Sequence, residues 1–172
     1  MPTFITPEEY EVWKQGEIFP ILGTTPKQDA LAVRLTALFV HHVGSHRVHS
    51  SSMPVVVPEN GGHAHCELSV VTTEPAYANA PNFGLMNPTL VVDIVSSRRG
   101  DPRGGSKPRV YRGLPSVEEI LLVTEDEFDV ELYRRQDDGT WILFHAVGLE
   151  SSVELASIGY TLRLAELYEN VG

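Results

Sequence analysis

The stretch TLVVDIVSS, residues 89–97, constrains the fold more than any other part of the chain. Val91, Val92, Ile94 and Val95 are β-branched, the side chains that suit a pleated, packed surface. A near-continuous apolar run of this kind belongs to a strand buried on both faces, so the chain must supply neighbouring strands and covering layers. One residue breaks the run. Asp93 is a carboxylate in the middle of the strand, and an ionised carboxylate is costly to bury without a partner. Alternation places Val91, Asp93 and Val95 on one face of the strand. Two readings follow: a structural carboxylate tied to a backbone donor or an arginine, or an acid that works with other chemistry-bearing residues.

The rest of the chain supplies the layers. TTPKQDALAVRLTALFVHHVG predicts a helix, with Thr25 as N-cap, Pro26 in its first position and Gly44 behind its end. Leu31, Leu35, Leu38 and Phe39 recur at helical spacing and give it one apolar face. TPEEY at residues 6–10 carries the same start signal, with Thr6, Pro7, Glu8 and Glu9, and Gly16 ends that helix. EIFPIL is a short extended piece at an edge or irregular position, because Pro20 cannot donate to a ladder. SMPVVVP offers a strand, ELSVVTT (67–73) a core strand, and residues 74–88 a long loop. GSKPRVYRGLPS suggests a short helix near 107–112. Strands are expected over 118–124, 128–135 and 140–147, the last two joined at Asp138-Gly139, a hairpin signal. TLRLAELYENV predicts a closing helix. This order points to an α/β fold, a mixed sheet with helices on its faces. At 172 residues the expectation is one domain spanning 1–172.

Charge narrows the function classes. A net charge of −10 argues against a protein that coats nucleic acid non-specifically. The basic groups are nevertheless concentrated. Arg98, Arg99, Arg103, Lys107, Arg109 and Arg112, six of the thirteen Lys and Arg residues, follow directly on the Asp93 strand. Cys66 is the only cysteine, which excludes an intramolecular disulfide and fits a reducing compartment. The first residues have neither the basic start nor the apolar run of a signal peptide, and no segment is long and apolar enough for a membrane helix. A cytoplasmic protein is expected.

Metal-dependent cleavage of a phosphodiester needs carboxylates for a divalent cation and a lysine near the attacking water. Glu67 opens one strand and Asp93 interrupts another, with Lys107 following across a glycine-rich loop. Taken alone, a strand-start glutamate is commonly solvated and a lysine is commonly on the surface; the combination carries the reading. Histidines form a rival. His41, His42, His46, His49, His63 and His65, with Cys66, are zinc-ligand types, but their spacing matches no standard pattern and Gly44 interrupts the helix that would align them. Histidines at a helix C-terminus are also favoured by the dipole. GDPRGGS lacks the P-loop sequence. Ser96 and Ser97 have no His-Asp arrangement nearby in the sequence.

Taken in order, these segments resemble a known family. LVVDIVSS, Asp101, Lys107, Tyr111 and GLPSVEEILLV are similar to the core of the Uma-two type restriction endonuclease family of bacteria, within the PD-(D/E)XK nuclease superfamily. ITPEEYEVW, the TTPKQ helix and the closing SIGYTLRLAELYE resemble its other segments, so the likeness covers nearly the whole chain. The resemblance implies a restriction-endonuclease-like core, a central mixed β-sheet flanked by helices with a β-hairpin. It implies a DNA endonuclease with Glu67 and Asp93 on Mg²⁺ (or Mn²⁺), Lys107 as the water-orienting base migrated beyond the second acid, and Asp101 as its helper. Glu17 is a further candidate ligand, with Glu11 a weaker one, and Arg98, Arg99, Arg103 and Arg109 are the expected phosphate contacts. A two-fold homodimer is compatible with double-strand cutting. There are departures. Cys66-Glu67 stands where the family has Pro-Asp, Asp93 where it has Glu, Val95 where the superfamily has its lysine, and Gln28 or Asp29 near the place of a histidine. These departures, with the acidic net charge, support the alternative of a catalytically inactive binding or assembly module.

Overall fold

The computed structural model describes residues 24–58, 62–79, 83–96 and 109–171. The expected N-terminal helix and the EIFPIL piece lie outside them. Helix α1, Pro26–Val43, begins where the sequence placed it. Thr25 Oγ1 accepts from the Gln28 amide at 3.1 Å and the Gln28 side chain accepts from the Thr25 amide at 3.5 Å. This reciprocal capping box satisfies two otherwise orphaned donors. Leu31, Leu35 and Phe39 are fully buried, each worth about 1.5–3 kcal/mol relative to exposure.

The strands are β1 Val48–Ser50, β2 Val55–Val57, β3 Gly62–Ala64, β4 Leu68–Val70, β5 Tyr77–Ala78, β6 Gly84–Leu85, β7 Leu90–Val95, β8 Glu119–Thr124, β9 Asp129–Arg135, β10 Trp141–Val147, β11 Ser152–Leu155 and β12 Tyr160–Arg163. Six of them form the main sheet, ordered β1-β4-β7-β8-β9-β10. β7 and β8 are parallel, and the other neighbours are antiparallel. The sheet is therefore mixed, and its one parallel pair requires the 96–118 segment to cross over. As TLVVDIVSS implied, β7 lies inside the sheet, with its first five residues buried.

The two sheet faces have separate cores. On one, Leu90, Val92 and Ile94 pack with α1 and with the β11–β12 hairpin. On the other, Val91, Ile120 and Leu122 pack with Tyr111, Leu114 and Val117, which follow or belong to the helical residues 109–112. The β9–β10 hairpin forms around Gly139 at φ 83°, a conformation that suits glycine.

Three expectations change. The segment 74–88 is not wholly loop: β5 and β6 join β2 and β3 in a second sheet, ordered β3-β2-β6-β5. Gly84 permits this, since a Cβ there would sit 2.8 Å from Pro54 O and from Val56 Cγ2. The predicted closing helix is shorter than expected and follows a strand. Tyr160–Arg163 pair with β11, and only Leu164–Leu167, here α2, is helical. The core strand expected over 67–73 is regular only for Leu68–Val70.

Candidate active site

Asp93 is 1% exposed and lies on the face of the second core, in register with Leu122 of β8. Its neighbour across the sheet is the start of β4. Glu67 sits at a bend just before that strand. The bend turns the Glu67 amide toward β7, where it lies 2.9 Å from Val92 O and 3.2 Å from Asp93 Oδ1. It also changes which face the chain presents. Cys66 packs in the second core and Leu68 in the first, so Glu67 stands at the switch between them. The Glu67 backbone amide therefore meets the Asp93 carboxylate, a contact of the main chain and not of the Glu67 carboxylate.

Tyr111 completes the constellation. It is 1% exposed, its hydroxyl donates to His65 O at 3.2 Å, and it lies close enough to Asp93 for that carboxylate to act on it electrostatically. Burial pushes its phenol far above the ordinary tyrosine range; the Asp93 charge, the nearby Cys66 and the Glu67 charge add to the effect. Tyr111 is therefore a neutral hydroxyl donor at neutral pH. Residue-by-residue chemistry missed it, because a tyrosine among arginines in a predicted surface helix carries no titration signal. The tyrosine that follows the lysine in the family pattern was the available clue.

Glu67 also lines a cleft of about 720 Å³ beside α1, together with Thr24, Asp29, Thr36, Ser50 and Ser51. Arg109 is exposed in the helical turn that carries Tyr111. Arg112, in the same turn, stacks over the Tyr133 ring at 4.6 Å. Glu17, Arg98, Arg99, Asp101, Arg103 and Lys107 lie outside the described residues. Among the described residues, no group of three or more His, Cys, Asp and Glu side chains is placed to hold a metal ion. The histidines are dispersed: His42 Nε2 lies 2.8 Å from Ile158 O, His49 Nε2 2.6 Å from the Tyr77 hydroxyl, and His145 against Asp129.

A second buried carboxylate, which sequence reading passed over, has a different environment. Glu119 is 1% exposed on the opposite face. It accepts from Arg134 Nε at 2.7 Å, Ala156 N at 3.1 Å, Ser157 N at 3.0 Å and the Ser157 hydroxyl at 2.5 Å. Four donors, one of them charged, tie β8 and β9 to the β11–β12 hairpin.

Known proteins share this layout. An uncharacterized protein of Synechocystis sp., slr1290, is 27% identical over 180 residues, covering 97% of this chain and 93% of that protein. Another from the same organism, sll1609, is 25% identical over 144 residues, covering 83% and 81%. The crystal structure of a putative nuclease belonging to DUF820 from Anabaena variabilis superposes with a TM-score of 0.65 at 15% identity, covering 87% of this chain and 84% of that one. That likeness shows a common fold, the restriction-endonuclease-like core. No helix among the described residues is long and apolar enough to cross a membrane. The family model described as "Putative restriction endonuclease" matches residues 2–165, and the chain belongs to that family, Uma2.

Proposed function

We propose that this protein is a divalent-metal-dependent endonuclease that hydrolyses DNA phosphodiester bonds. The observation that carries the reading is the buried Asp93 carboxylate held at the Glu67 strand start, beside the Tyr111 hydroxyl. The donor chemistry fits Mg²⁺ or Mn²⁺, hard cations that take carboxylate oxygens and are commonly bound by one or two carboxylates together with substrate phosphate. An ionised carboxylate offers about four acceptor positions, so an amide, a phenol and a cation are compatible on Asp93.

In this reading Asp93 and Glu67 hold the cation, with Glu17 as a further ligand. Once bound, the cation would polarise the phosphate and lower the pKa of a water. Tyr111 positions Asp93: its hydroxyl fixes the carboxylate's rotamer from the buried side. Lys107 orients the attacking water and offsets charge that develops on the phosphate, with Asp101 positioning the lysine. Arg98, Arg99, Arg103 and Arg109 meet backbone phosphates, which position DNA without reading its sequence.

The same neighbours favour a second reading. An amide and a phenol beside Asp93 are also what a purely structural carboxylate would recruit, as expected of a fold kept for binding or assembly after catalysis was lost. The test incubates supercoiled and single-stranded DNA with the protein in Mg²⁺ or Mn²⁺, beside Asp93→Ala and Lys107→Ala. Metal-dependent cleavage by the wild type and its loss in both variants are expected. No cleavage, or equal cleavage by the variants, overturns the nuclease assignment.

A further inference from the structure

We propose that β10 is a homodimer interface, through which two copies join edge to edge about a two-fold axis. β10 is the terminal strand of the main sheet among the described residues. All seven of its residues pair in unbroken register with β9. Its other edge presents backbone donors and acceptors to a further strand. Within the strand itself, Trp-Ile-Leu-Phe-His-Ala-Val, there is no lysine, proline or bulge, although Arg134 and Arg135 of β9 stack over the Phe144 and Trp141 rings. It is apolar on both faces. Leu143 is 49% and Val147 58% exposed on one side, and Ile142 45% and Phe144 39% on the other. Lone exposed apolar residues are ordinary, but a contiguous set on one strand marks a contact surface.

Charge and symmetry select a second copy as the occupant. The chain carries a net charge of −10, so most approaches of two copies are repulsive, whereas β10 has no Asp, Glu, Lys or Arg. Antiparallel pairing about a two-fold axis perpendicular to the sheet is self-complementary, the usual closed arrangement. Centred on Phe144, the middle residue of β10, it sets Phe144 against Phe144 of the partner subunit. Leu143 then faces His145 of the partner subunit and Ile142 faces Ala146 of the partner subunit, so apolar groups meet on both faces. Each copy carries a net charge of −10, so added salt, by screening that charge, should tighten the dimer, the opposite of its effect on phosphate binding.

Sedimentation velocity from low to high micromolar concentration tests the interface. The wild type should reach twice the 19.0 kDa chain mass, and Leu143→Lys should stay monomeric with an unchanged circular dichroism spectrum and melting temperature. Phe144→Cys should form a disulfide-linked dimer on oxidation, whereas Val33→Cys, on exposed α1, should not. A wild type that stays monomeric, a dimeric Leu143→Lys protein, or equal cross-linking by the two cysteine variants overturns the proposal. A dimer weakened by salt overturns the proposal as well. Dimerisation without DNA cleavage would leave the interface standing and remove only the nuclease reading.

Discussion

Asp93 and Glu119 are both 1% exposed carboxylates, on neighbouring parallel strands of one sheet. Their surroundings differ. Glu119 is compensated by a guanidinium, two amides and a hydroxyl, and those donors come from elements that must dock for the fold to close. Asp93 accepts from the Glu67 backbone amide and lies beside the Tyr111 phenol, where a strand start and a helical turn meet. A carboxylate whose charge is balanced by arginine has its chemistry consumed by structure. Asp93 instead lies beside the strand start that carries Glu67, where the proposed cation would bind.

Substitutions can break this contrast. Glu119→Ala should have the largest effect on stability, about 3–5 kcal/mol, because it strands Arg134 and two buried amides; urea unfolding measures it, and metal binding by the surviving folded fraction should be unchanged. Asp93→Asn keeps an oxygen for the Glu67 amide. It should lower stability less than Glu119→Ala but reduce Mg²⁺-dependent cleavage by about 100-fold or more, since a bound cation contributes several kcal/mol to such reactions. If Asp93→Asn proves as destabilising as Glu119→Ala while cleavage persists, the contrast fails.

Two smaller effects would sharpen it. Tyr111→Phe preserves the packed ring and removes the hydroxyl. It should cost about 1 kcal/mol of stability and weaken Mn²⁺ binding about tenfold, the effect of losing a partner that orients a ligand; Mn²⁺ titration followed by electron paramagnetic resonance reads the affinity without relying on turnover. A variant with unaltered affinity would confine Tyr111 to packing. The smallest effect concerns His145, whose hydrogen bond to Asp129 raises its pKa above the ordinary value. A group with a raised folded-state pKa stabilises the fold fully below its unfolded pKa, near 6.5, and loses that contribution as pH rises through the folded value. Because the pair is largely exposed, the change should be below about 0.5 kcal/mol. Urea midpoints between mildly acidic and mildly alkaline pH should show it, and Asp129→Asn should abolish it.

What the sequence disclosed follows from which interactions are local. The α1 start was legible because Thr25, Pro26 and Gln28 form their cap within one turn. β7 was legible because burial on both faces dictates an unbroken apolar run, and the hairpin because Gly139 marks its turn. The second sheet was not, since β5 and β6 are two residues each and exist through partners far along the chain. The closing segment was half legible: Leu164–Leu167 are helical as expected, but pairing with β11 draws Tyr160–Arg163 into a strand. Asp93 and Glu67 could be nominated from their positions, but their meeting depends on the bend before β4. Glu119 could not be nominated, since nothing near it in sequence announces Arg134, Ala156 and Ser157 as its donors.

The parallel β7–β8 pair has a further consequence, for how this fold can vary among its relatives. Whatever its length, the segment between these strands must return to the same end of the sheet, and here it spans 96–118 and carries all five clustered arginines and Lys107. Doubling the length of a flexible connection costs only about 0.6 kcal/mol in closure entropy. Added length in such a connection is therefore thermodynamically cheap away from its packed residues Tyr111, Leu114 and Val117, while a one-residue slip of β7 would turn its entire buried set to the wrong side. Divergence should accumulate in the crossover, with the strands on either side of it held in place.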